Sequence, residues 1–156
     1  MSSTLGPTLA GFTTFVYNVM QIDPLNLPTD SAIIEYAFDN AMTIVNQALC
    51  VVCGPPNGQW SYYAIAVYNL GGSNIINFAQ DQTGRTYFAD LRALYGIGKF
   101  PAGVVAGTSD AGSSTSLLNP EFMKTLTMRD LRTLKDPWGR AYMEAAMDYG
   151  EIWGLT

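Results

Sequence analysis

The chain has 156 residues, 48% hydrophobic and 13% charged, with Lys+Arg 8 against Asp+Glu 13, no histidine and a formal net charge of -5. One domain with a sizeable core is expected at this length, and apolar content combined with low net charge excludes a disordered chain. Globular proteins average about 25% charged residues, so this exterior carries about half the usual solvating charge and is expected to be covered by something besides water.

Leu9, Phe12, Val16, Val19 and Met20 recur at three- and four-residue spacing and predict a short amphipathic helix over 8–20. Pro24 and Pro28 then bias their preceding residues toward extended backbone, which marks a linker. A longer helix is expected to start at Thr29, Asp30 or Ser31 and run to about Val52, ending at Gly54-Pro55-Pro56-Asn57-Gly58. Its polar members Glu35, Asp39, Asn40, Thr43, Asn46 and Gln47 share roughly 140° of the circumference. The rest of the wheel is apolar, as for a helix buried against more than one neighbour.

From Ser61 to Ala79 the chain is apolar and aromatic, but Gly71-Gly72 followed by Ser73-Asn74 predicts two helical pieces with a break between them. Asp81-Gln82-Thr83-Gly84 reads as a turn, Thr86 to Tyr95 as a helix stopped by Gly96, and 96–119 as a long Gly/Ser-rich loop or loose β-hairpin. Asn119-Pro120 and Asp136-Pro137 each set a capping residue before a proline at the first helical position, and Thr127 is a further start. The last helix is expected over Pro137 to Tyr149, with Gly150 as its stop and a tail beyond it. Arg140, Glu144 and Asp148 share roughly 80° of its wheel. The fold class is therefore mainly α: one domain over 1–156, with a helical bundle over 8–95, an inserted loop over 96–119, and C-terminal helices and a tail over 120–156.

The longest apolar runs, Ala48 to Cys53 and Tyr62 to Tyr68, are far shorter than the roughly 20 residues that cross a bilayer. Met1-Ser2-Ser3-Thr4 has no basic region of the secretory type, so folding in cytoplasm with reduced thiols is expected. Residues 1–84 contain five acids, Asp23, Asp30, Glu35, Asp39 and Asp81, and no base, whereas all eight bases lie in 85–156 with eight acids. This acidity argues against a dedicated nucleic-acid binder.

Most catalytic constellations are excluded. Cys50 and Cys53 have the CxxC spacing of thiol oxidoreductases, but they sit at the end of a predicted helix rather than at its start, where a thiolate is stabilised. Without histidine, the usual zinc sets and Ser/His/Asp triads cannot form from this chain. Gly96-Ile97-Gly98 meets Pro101 where a phosphate loop needs its third glycine, and Ser113 stands where a Walker motif needs lysine. Glu35 and Asp39 are either paired carboxylates or a solvated stripe. The nine tyrosines and three tryptophans serve either a core or an interface, and Trp153 and Leu155, beyond the last helix, point to a docking tail.

Several blocks of the rear half resemble the head-to-tail connector (adaptor) proteins of tailed bacteriophages. They are Tyr87-Phe88-Ala89-Asp90-Leu91-Arg92, the Gly/Ser loop, Leu126-Thr127-Met128-Arg129-Asp130-Leu131, Leu134-Lys135-Asp136-Pro137-Trp138-Gly139-Arg140-Ala141-Tyr142, and Tyr149-Gly150-Glu151-Ile152-Trp153-Gly154-Leu155-Thr156. The front helices agree by pattern alone, and Asp136 stands where many of these connectors have Thr. The resemblance implies a non-enzymatic virion protein without cofactors, assembled in host cytoplasm into a homo-oligomeric ring, a dodecamer, at the virion neck. Such a ring joins the portal to the next neck or tail component and continues the DNA channel without specific DNA binding.

On that reading Tyr149, Ile152, Trp153 and Leu155 dock to the portal, and Val104, Val105, Leu117 and Leu118 contact adjoining subunits or the tail. Arg129, Arg132 and Arg140 would meet acids of a neighbouring copy, and Glu35 and Asp39 would line the channel. The alternatives are a tail-completion or tail-terminator subunit and a small thiol oxidoreductase built on Cys50 and Cys53.

Overall fold

A computed structural model describes residues 6–47, 54, 58, 60–98, 108–110, 113–115 and 132–148. They form a small, mainly helical bundle: α1 (Leu9–Thr14), a π-helical segment (Phe15–Val19), α2 (Ala32–Ile44), α3 (Tyr62–Phe78), α4 (Tyr87–Leu94), β1 (Thr108–Asp110), β2 (Ser113–Thr115) and α5 (Pro137–Asp148). No helix among the described residues is long and apolar enough to cross a membrane.

α3 is the axis of the bundle, with α2 and α5 packed along it. Tyr63, Ala64, Val67, Tyr68, Leu70, Gly71, Gly72 and Ile75 are all buried, so this helix lacks the polar face of a surface helix. Ser61 caps it by accepting the Ala64 N–H at 3.1 Å. The break predicted at Gly71-Gly72 is absent, because tertiary contacts require the glycines inside a continuous helix. A Cβ on Gly71 would lie 2.7 Å from the Phe12 ring, and one on Gly72 2.8 Å from the Met20 sulfur. The propensity cost of roughly 1 kcal/mol per glycine is outweighed by the close approach of an aromatic ring to the helix backbone.

The first helix also departs from its pattern. Thr8 caps α1 through its hydroxyl, which accepts the Gly11 N–H at 3.0 Å, but the helix widens into a π turn at Phe15. Phe12, Phe15 and Val16, at i, i+3 and i+4, are buried on one face, while Val19, predicted in the apolar stripe over 8–20, is exposed at the end of the π segment. The segment ends at Gln21, a non-glycine residue at φ 56°. That left-handed backbone is strained for a side chain with a Cβ. Gln21→Gly is therefore expected to stabilise the fold by about 0.5–1 kcal/mol in chemical denaturation, the relief of strain exceeding the added chain entropy.

α2 buries Ile34, Ala37, Phe38 and Ala41. It stops at Ile44 rather than near Val52, since Val45 turns to extended backbone at ψ 128° and buries its side chain. Thr43, Ile44 and Val45 are three successive β-branched residues, whose restricted χ1 weakens helix continuation. Cys50 and Cys53 lie outside the described residues.

The turn at 81–84 forms, with Gly84 at φ 78°, and α4 ends before Gly96 at φ 65°, as expected. The cap of α4 comes from farther away: Asp81 accepts the N–H groups of Phe88 (2.6 Å) and Ala89 (3.0 Å). Within 96–119, β1 and β2 pair antiparallel in the register Thr108 with Thr115 and Asp110 with Ser113, which is the loose hairpin of the sequence reading.

Candidate functional site

α3 and α5 meet around a polar cluster. On α3, Asn69, Ser73 and Asn77 repeat every four residues, and Asn74 lies beside them. Asn69 and Asn77 donate back to the backbone carbonyls of Ile65 and Ser73 at 2.9 and 2.8 Å, and Asn74 Nδ2 donates across to the side-chain Oδ1 of Asn40 on α2 at 3.2 Å. Ser73 donates its hydroxyl at 2.7 Å to Asp136 Oδ2, and Asn77 Nδ2 lies 3.4 Å from the same oxygen.

Asp136 also caps α5, its Oδ1 accepting the Gly139 N–H at 2.8 Å. Pro137 takes the first helical position, where a missing N–H costs nothing. Desolvation by burial pushes the Asp136 carboxyl above the usual carboxylate range, against the opposing hydrogen bonds from Gly139, Ser73, Trp138 and Asn77.

Around this junction Trp138 meets Phe15 edge-on at 5.4 Å, and Phe15 and Trp60 both contact Tyr68. Tyr68 extends the network to the first turn, accepting the Thr8 N–H at 3.0 Å and donating to the Thr8 carbonyl at 3.2 Å. A Cβ on Gly139 would collide with the Thr133 carbonyl, so the start of α5 lies directly against the preceding turn.

A second junction joins α3 to α4. Arg92 donates to the carbonyls of Ile76 (3.2 Å) and Ala79 (2.7 Å), capping the end of α3, and its other nitrogen lies 3.9 Å from Asp81. The two residues thus secure the end of one helix and the start of the next. Lys135 binds the Gly96 carbonyl at 2.9 Å and ties the turn before α5 to the end of α4.

These contacts give structural roles to two of the blocks that carry the connector resemblance. Tyr87 to Arg92 belongs to α4, and Leu134 to Tyr142 builds the seat of α5, with Tyr142 buried. Of the site residues read from the sequence, Glu35 and Asp39 are exposed on α2, one turn apart. Arg140 is exposed on α5, and Arg132 holds its guanidinium 4.8 Å from the Phe78 ring centroid. Val104, Val105, Leu117, Leu118, Arg129, Tyr149, Ile152, Trp153 and Leu155 lie outside the described residues.

The sequence reading missed the Ser73–Asn77–Asp136 cluster and the Asp81–Arg92 junction. The signal for the first was available: polar residues at four-residue spacing along an otherwise apolar helix imply a buried polar partner. Among the described residues no three Cys, Asp or Glu side chains gather as a metal site. The chain matches no protein-family model, no curated protein and no solved structure.

Proposed function

We propose that this chain is a structural subunit of a virion neck, a ring-forming head-to-tail connector that binds a portal and continues the DNA channel. The observation that carries the reading is the block from Leu134 to Thr156, whose sequence resembles connectors. Its first part forms a fixed seat: Asp136, Trp138, Gly139 and Tyr142 bind α5 to the bundle. The segment from Tyr149 to Thr156 follows that anchored helix directly and supplies Trp153 and Leu155 for docking. The exposed Glu35 and Asp39 suit a channel wall that repels DNA phosphates, and sparse surface charge suits a subunit with lateral and axial neighbours.

The test is capture by a purified portal ring. The full chain is expected to bind, and a variant lacking Ile152 to Thr156 is expected to keep its helical circular dichroism while losing capture. Trp153→Ala alone is expected to weaken binding by about 2–4 kcal/mol, as for a buried aromatic anchor. Undiminished binding by the truncated chain would reject the docking role. Binding to a tail component in place of the portal would favour the tail-completion reading.

A further inference from the structure

The junction of α3 and α5 encloses a carboxyl whose observed hydrogen-bond donors are all neutral. Asp136 is 0% exposed and Ser73 2%, and Ser73, Asn77 and the backbone N–H groups of Trp138 and Gly139 supply those donors. The cluster is also short of hydrogen, since the Asn77 Oδ1 is buried without a hydrogen-bond partner. A protonated Asp136 adds an O–H to a place with a surplus of acceptors.

Among the described residues, the charged side chains of the surrounding elements make contacts of their own or are exposed. Arg132 lies over the Phe78 ring, Lys135 binds the Gly96 carbonyl, and Arg92 caps α3 beside Asp81. Arg140 and Glu144 of α5 are exposed. On α3 the groups facing the carboxyl, Ser73 and Asn77, do not titrate in water. An ionised Asp136 is thus a buried anion compensated by neutral dipoles and by the start of α5.

We propose that the Ser73–Asn77–Asp136 cluster is a proton-operated latch, clasping α5 to α3 most firmly when Asp136 carries its proton and loosening as the carboxyl ionises. The latch stands independently of the connector reading. Burial raises the carboxyl above its ordinary value. As pH rises, a detached α5 therefore loses the Asp136 proton first, and the clasped state binds more protons throughout the interval between the ordinary and the raised value. Below that interval the latch is at full strength, and across it rising pH favours detachment.

The experiment follows the Asp136 carboxyl by carbon NMR in the full chain, together with amide-exchange protection factors in α5. Asp136 is expected to titrate above the ordinary carboxylate range, and α5 protection to fall about tenfold per pH unit between the ordinary value and that midpoint. Asp136→Asn is expected to abolish this slope. Ser73→Ala, which removes a bond favouring the charged form, is expected to raise the midpoint further and remains readable if Asp136→Asn does not fold. A midpoint within or below the ordinary range, an unchanged slope in folded Asp136→Asn, or a midpoint that Ser73→Ala leaves in place or lowers would each overturn the latch.

Discussion

Gly139→Ala is expected to destabilise the fold by about 3 kcal/mol, near the upper end of what overpacking costs. The methyl would collide with the Thr133 carbonyl, and its next neighbours, the Thr133 carbonyl carbon and Cγ2, lie 2.7 and 2.8 Å away. Backbone cannot swing aside as the end of a long side chain can, so the start of α5 must lift from the turn that precedes it. Lifting it lengthens the 2.8 Å bond from the Gly139 N–H to Asp136 and withdraws Trp138 from Phe15. Thermal unfolding should show a midpoint about 6–12 °C lower for a chain of this size. A midpoint within a degree of the parent would mean that α5 is not seated against Thr133.

The second large effect lies where the first helix crosses α3, and it changes sign with the partner. Phe12→Ala is expected to cost about 3–5 kcal/mol by emptying a fully buried site. Gly71→Ala in the parent places a Cβ 2.7 Å from the Phe12 ring and is expected to cost about 1–3 kcal/mol. In the Phe12→Ala background the same methyl enters vacated space, and Gly71→Ala should stabilise by about 1 kcal/mol through helix propensity. Denaturant unfolding of the four proteins measures the cycle. Equal costs of Gly71→Ala in both backgrounds would show that Phe12 does not dictate the glycine. Gly72→Ala is expected to be milder, because the Met20 sulfur 2.8 Å away belongs to a flexible side chain that can repack.

These positions show what could be read locally. The Asp136-Pro137 start, the Gly96 stop and the turn at Gly84 were legible because one short stretch supplies both cause and effect. The continuity of α3 was not, because Gly71 is dictated by Phe12, 59 residues earlier, while neighbouring residues argue for a break. Val45 ends α2 for a similar reason: its place in the core outweighs the apolar periodicity that continues past it. Asp81 caps α4 from seven residues before Phe88, outside the reach of a local capping pattern.

Of the connector-like blocks, Tyr87 to Arg92 and Leu134 to Tyr142 lie among the described residues, where Arg92, Lys135, Asp136 and Trp138 make contacts within the bundle. The roles proposed for Glu35, Asp39 and Arg140 belong to exposed side chains. Such a role is set by whatever molecule the side chain meets, and a solvated pair of acids reads the same in either setting.

A rod enclosed on every side has a consequence for how this sequence can diverge. Along the middle of α3, Gly71 answers to Phe12, Gly72 to Met20, Ser73 to Asp136 and Asn74 to Asn40. Drift at any one of these four successive positions breaks a match with a residue in another part of the chain. Descendants of this sequence are therefore expected to alter Gly71 chiefly together with Phe12, whereas Gly72 is freer because the flexible Met20 can yield.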